Sequence, residues 1–167
     1  MKNREKPKED SNENILYNPN AINYKELQHL HQTLTDYLSQ LKKEHFIPLS
    51  LFKTDLAPLE TVVKFLVENQ TLSIKDVSSL LNRSPKTVWQ AYDSSKRKYS
   101  TKFISKQDQI SIPISIFSNR RLSILESLVI YLKETQNLKF SQIAVLVERD
   151  DRTIWTVYKR ARGKYVK

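Results

Sequence analysis

Apolar residues recur along most of this chain at intervals of three and four, the spacing that lines one side of an α-helix. Leu27, Leu30, Leu34, Tyr37 and Leu41 form the first stripe and predict an amphipathic helix within residues 21–46. Leu56, Leu59, Val63 and Leu66 predict a second helix over residues 56–69. Two shorter helices follow, over residues 73–81 and from Pro85 onward. Ser84 before Pro85 is the favoured order of N-cap and first helical residue. The same three-helix pattern returns over residues 122–135, 139–147 and from 151 onward, with Asp150 in the capping role. Residues 1–20 alternate charges and carry few apolar groups, which predicts disorder. Residues 100–111, rich in Lys, Gln, Ser and Thr, read as a linker.

The return of the pattern is a duplication. Residues 47–99 can be laid on 112–165 with one inserted residue near Arg120. IPLSLF matches IPISIF. Leu56, Leu59, Glu60, Val63 and Leu66 match Leu122, Leu125, Glu126, Val129 and Leu132, and Arg83, Thr87, Trp89 and Tyr92 match Arg149, Thr153, Trp155 and Tyr158. Identical residues occupy 19 of 53 aligned positions, and most other apolar positions exchange like for like. Each proline-containing arm predicts an extended segment or a short helical turn ahead of its first helix.

Composition narrows the chemistry. Without cysteine, neither disulfides nor thiolate metal sites can form. Gly163 is the only glycine, so glycine-rich phosphate loops and dinucleotide turns cannot be built, and tight hairpins are disfavoured. His29 and His31 lie two apart on a helix and so point to different faces, unsuited to one metal. No carboxylate pair or activated nucleophile stands out, so the expectation is a non-enzyme without catalytic residues, metal or cofactor. The first residues are polar, and no run approaches the roughly 18 apolar residues of a membrane span, which predicts a cytoplasmic, nucleoid-associated protein.

Charge points to a polyanion. The chain carries 28 Lys and Arg against 18 Asp and Glu, a net +10. Residues 1–46 hold 7 basic and 7 acidic groups, net 0; 47–99 hold 8 and 5, net +3; 100–111 hold 2 and 1, net +1; 112–167 hold 11 and 5, net +6. The excess sits in the repeats, above all the second.

The second copy contains LKFSQIAVLVERDDRTIWTVYKRA, residues 138–161. Its two short helices, with Ile143, Val147, Ile154 and Val157 facing inward and small Ala144 at the closest approach, resemble the helix-turn-helix of region four of bacterial sigma factors. The first copy has Val77, Leu81, Val88, Ala91 and Ser78 at the same places. The resemblance covers about residues 56–97 and 122–164 and omits any promoter-melting region. It implies DNA-binding heads whose last helix enters the major groove. The turn departs from the family pattern: its usual glycine is Asn82 or Glu148, and the next, usually apolar, residue is Arg83 or Arg149.

The expected architecture is therefore all-α: two tandem three- to four-helix helix-turn-helix domains, residues 47–99 and 112–167, preceded by the amphipathic helix. The expected function is a sequence-specific transcriptional regulator bound to double-stranded DNA. On the third helices the differing pairs Lys86/Arg152, Gln90/Thr156 and Asp93/Lys159 are candidates for base preference, since Arg suits guanine, Gln adenine and a Thr methyl thymine. Thr87 and Thr153 suit phosphate or base. Lys96, Arg97, Lys159, Arg160, Arg162 and Lys164, with Lys98 and Lys167, suit phosphates, which position without specifying. Asp151 suits cytosine or the positive helix N-terminus. Trp89 and Trp155 can act as wedges between bases or pack on their own IPxSIF arms. Their pairing with an arm in both copies favours packing, and Tyr92 and Tyr158 read as core. The rival function is an adaptor that engages RNA polymerase or another protein; structured RNA is a third. Residues 22–44 read either as a dimerisation helix, giving a homodimer, or as a helix docked on its own domain.

Overall fold

The computed structural model describes residues 23–104 and 110–165, with the side chains of residues 39–43 and 165 outside the description. The disorder expected for residues 1–20, the tail lysine at 167 and the middle of the linker therefore lie outside the described residues. The chain divides into two compact units, Met1–Leu41 and Lys42–Lys167.

In the first unit, α1 (Tyr24–Lys43) carries the expected stripe. Leu27, Leu30, Leu34 and Tyr37 are 45–59% exposed, so nothing among the described residues of that unit covers them.

The second unit holds both copies. Copy 1 consists of β1 (Phe46–Pro48), a 3-10 turn (Leu49–Lys53), α2 (Pro58–Lys64) ending in a π-helical turn (Phe65–Asn69), α3 (Ile74–Leu80) and α4 (Pro85–Lys98). Copy 2 repeats this as β2 (Ser111–Pro113), a 3-10 turn (Ile114–Phe117), α5 (Ile124–Ile130) with its π-helical turn (Tyr131–Thr135), α6 (Phe140–Val147) and α7 (Asp151–Tyr165). The helical expectation holds, with the caps as read. The Ser84 hydroxyl accepts from the Thr87 N–H at 3.2 Å, and Asp150 Oδ1 accepts from Arg152 and Thr153 N–H at 2.8 and 3.4 Å.

The described residues are mostly helical, as the all-α expectation has it, and one small two-stranded sheet joins the arms. β1 and β2 pair antiparallel, with Ile47 opposite Ile112. Pro48 and Pro113 hold their backbones extended (φ −60° and −67°, ψ 133° and 134°), and the strands come from distant parts of the chain. No hairpin turn is required, so scarce glycine does not forbid the sheet.

Within each copy the first and third helices are tied by a buried carboxylate. Glu60 accepts two bonds from Lys98 Nζ at 2.8 and 2.9 Å and one from the Ala57 N–H at 2.9 Å. Glu126 does the same with Lys164, at 2.8 and 2.7 Å, and with the Ser123 N–H at 2.8 Å. Burial opposes ionisation of both groups. The lysine and the hydrogen bonds at each N-cap outweigh it and hold both carboxyls below the ordinary range.

The linker is not a free tether at its start. Phe103 is buried and stacks on Tyr99 with ring centroids 5.3 Å apart, and its carbonyl accepts from Asn69 Nδ2 at 2.9 Å. Beneath these rings lies fully buried Lys64, 5.8 Å from each ring centroid and 2.7 Å from Glu68 Oε2. At its far end, Ser111 already belongs to β2.

Candidate nucleic-acid interface

The third helix of each copy has two sides. Val88, Ala91 and Ser95 of α4, and Ile154 and Ala161 of α7, are buried. Opposite them, at i, i+3, i+4 and i+7, lie Lys86, Trp89, Gln90 and Asp93 on α4, and Arg152, Trp155, Thr156 and Lys159 on α7. Except for half-buried Asp93, all of these are exposed.

The tryptophans correct the packing expectation. Trp89 is 56% and Trp155 49% exposed. Each follows directly after a fully buried residue, Val88 or Ile154, and a step of about 100° turns it away from that core. The arms are occupied by each other instead, with Ile47, Phe52, Ile112 and Phe117 all buried. The signal was present in the sequence, because Arg152, Trp155 and Lys159 share one helical side. Tyr92 and Tyr158 are half-buried. Burial pushes both phenols up, helped by Glu68 beside Tyr92 and by the Tyr158 hydroxyl bonding Glu134 Oε1 at 2.9 Å.

The expected cations divide into free and engaged sets. Among the described residues no carboxylate pairs with Lys86, Lys96, Arg152, Lys159 or Arg160. Lys96 lies 5.6 Å from the Tyr92 ring centroid, and Lys159 lies 5.1 Å from that of Trp155. Arg97 pairs with Asp93 at 3.0 Å, and Arg162 with Glu134 at 3.3 Å. Lys164 pairs with Glu126 at 2.7 Å, matching Lys98 on Glu60 in copy 1. The Thr87 hydroxyl meets Ser84 Oγ at 2.8 Å, and the hydroxyl of exposed Thr156 donates to the Arg152 carbonyl at 2.8 Å. Thr153 is exposed, its N–H capped by Asp150.

The turns entering these helices are left-handed, at φ 49° for both Asn82 and Glu148. The two arginines that follow behave differently. Arg83 is half-buried and donates to the carbonyls of Leu122 (2.7 Å) and Arg120 (3.5 Å), whereas Arg149 is exposed and its side chain meets no partner among the described residues.

Among the described residues no group of three or more His, Asp or Glu side chains is placed to hold a metal ion, and no helix is long and apolar enough to cross a membrane. Comparison with protein-family models, with curated proteins and with solved structures found no match.

Proposed function

We propose that the protein is a sequence-specific DNA-binding transcriptional regulator with two covalently linked helix-turn-helix heads, reading the major groove with α4 and α7. The observation that carries this is the outer side of α7. Arg152, Thr156 and Lys159 stand exposed around Trp155, opposite the buried side of the same helix, and among the described residues no carboxylate pairs with either cation. Such a face offers a guanine reader, a methyl group and a phosphate anchor within two helical turns. Resemblance to sigma region four agrees with it, since Asn82 and Glu148 adopt the left-handed backbone that glycine serves at that turn in the family.

Titration of the full chain against duplex DNA tests the reading. Affinity is expected to fall steeply between about 50 and 200 mM salt as phosphate counterions are released. Binding that is absent, or indifferent to salt, overturns it in favour of an adaptor.

A second reading concerns partners, and the exposed stripe of α1 favours it: the helix joins two copies of the chain. Removal of residues 1–41 is then expected to halve the mass seen by light scattering, and an unchanged mass removes the idea. The cut must spare residues 44–48, because Glu44 accepts from the Ser115 hydroxyl at 2.7 Å and Phe46–Pro48 is a strand of the second unit.

A further inference from the structure

The arms of the two copies meet about a local two-fold axis. Ile47 and Ile112, the same residue of the repeat, lie directly opposite each other in the antiparallel pair. Flanking bonds are reciprocal: the Leu49 N–H donates to the Ile110 carbonyl at 3.1 Å, and the Ile114 N–H donates to the His45 carbonyl at 2.8 Å. In repeat terms these are one bond made twice. Phe52 meets Phe117, its own counterpart, with ring centroids 6.2 Å apart, and α2 touches α5. Antiparallel strands in which a residue faces its own counterpart are related by rotation through half a turn, never by translation.

The joint is also firm. The two arms share one buried cluster with both sets of helices; two further contacts are one-sided, α6 packing on the 3-10 turn Leu49–Lys53 of the other copy and Arg83 bonding the Leu122 carbonyl ahead of α5. The chain does not hold its copies on a string.

We propose that the DNA target is an inverted repeat, read at one fixed spacing, with unequal half-sites. The inference rests on the DNA-binding reading above. Half-sites of an inverted repeat are related by a two-fold axis across the duplex, whereas those of a direct repeat are related by translation along it. A rigid reader with a two-fold axis can present equivalent faces only to the first kind. The half-sites are unequal because the outward residues differ: Lys86, Gln90 and Asp93 on α4 against Arg152, Thr156 and Lys159 on α7. Inside a single chain the two halves of the site need not match, and a palindrome is then read imperfectly by design of the repeat.

The test is selection of the full chain on a pool of random-sequence duplexes, followed by competition among rearranged versions of the winning site. The expected result is two different half-sites in inverted orientation at one spacing. Moving them apart by about half a helical turn, or flipping one into a direct repeat, should cost about tenfold or more, because the second copy's contribution is lost. Equal affinity for direct and inverted arrangements, tolerance of many spacings, or enrichment of a single half-site overturns the proposal while leaving DNA binding intact. Salt-insensitive binding with no enriched sequence overturns the DNA reading itself, and the inverted repeat with it.

Discussion

On α4 the carboxylate of Asp93 holds Arg97 at 3.0 Å; on α7 the corresponding residues are Lys159 and Gly163, and Lys159 is unpaired. The contrast continues at the turn, where Arg83 is spent on carbonyls of copy 2 while Arg149 faces solvent. Copy 1 also devotes Lys64 to a buried pair with Glu68 under the start of the linker, at a position where copy 2 has Ile130. Duplication kept the scaffold in both halves, with Glu60–Lys98 and Glu126–Lys164 doing the same job. Among the described residues, ion pairs engage three cations of copy 1 (Lys64, Arg97 and Lys98) and two of copy 2 (Arg162 and Lys164). The lesson is that net charge, +3 against +6, understates the difference, since pairing removes more cations from the copy that has fewer.

The largest effect should come from breaking what the copies share. Ile112→Ala removes a fully buried side chain at the two-fold axis and is expected to cost about 2–5 kcal/mol. Both copies should then melt together in one calorimetric transition at a lower temperature. Two separate transitions in the unaltered chain would show that the copies fold independently.

Next comes Glu126→Gln, which leaves Lys164 without its buried partner and should cost on the order of 1–3 kcal/mol. Because the folded carboxyl lies below its ordinary value, the unfolded chain takes up protons first as the solution is acidified. The stabilisation is therefore full above the ordinary carboxylate range, fades as pH falls through it, and is lost below the folded value. Denaturation followed against pH should show this acid sensitivity diminished in the Gln variant.

Arg152→Ala and Lys86→Ala then probe the two outward faces. Arg152→Ala should cost about 1–3 kcal/mol and relax preference at one base, with the smaller loss from Lys86→Ala. A larger loss from Lys86→Ala would reverse the ranking of the copies. Asp93→Asn should produce the smallest change, a gain. It frees Arg97 and removes a negative charge from the outward side of α4, and surface pairs of this kind are worth about 0.2–1 kcal/mol. Binding should tighten up to roughly fivefold at low salt, and no change would mean that α4 does not approach phosphate.

Much of the scaffold was legible in the residues themselves. Helix stripes, the N-caps at Ser84 and Asp150, and the duplication follow from local spacing and hydrogen-bond chemistry, which neighbouring residues settle among themselves. The outward side of α7 was legible too, but its tryptophan was not assigned to it. The co-occurrence of Trp89 and Trp155 with the arms suggested a contact, whereas the helical register turns both indoles away from the buried side.

What sequence alone determined is that two like three-helix units exist, where the third helix of each begins, and which residues differ between them. Such properties depend on contacts a few residues apart. Tertiary structure alone decided that the arms pair with each other as strands, that Arg83 spans the copies while Arg149 does not, and that Lys164 closes on buried Glu126. Each of these joins groups between 37 and 67 residues apart. At that distance local spacing carries no information, and packing chooses the partner.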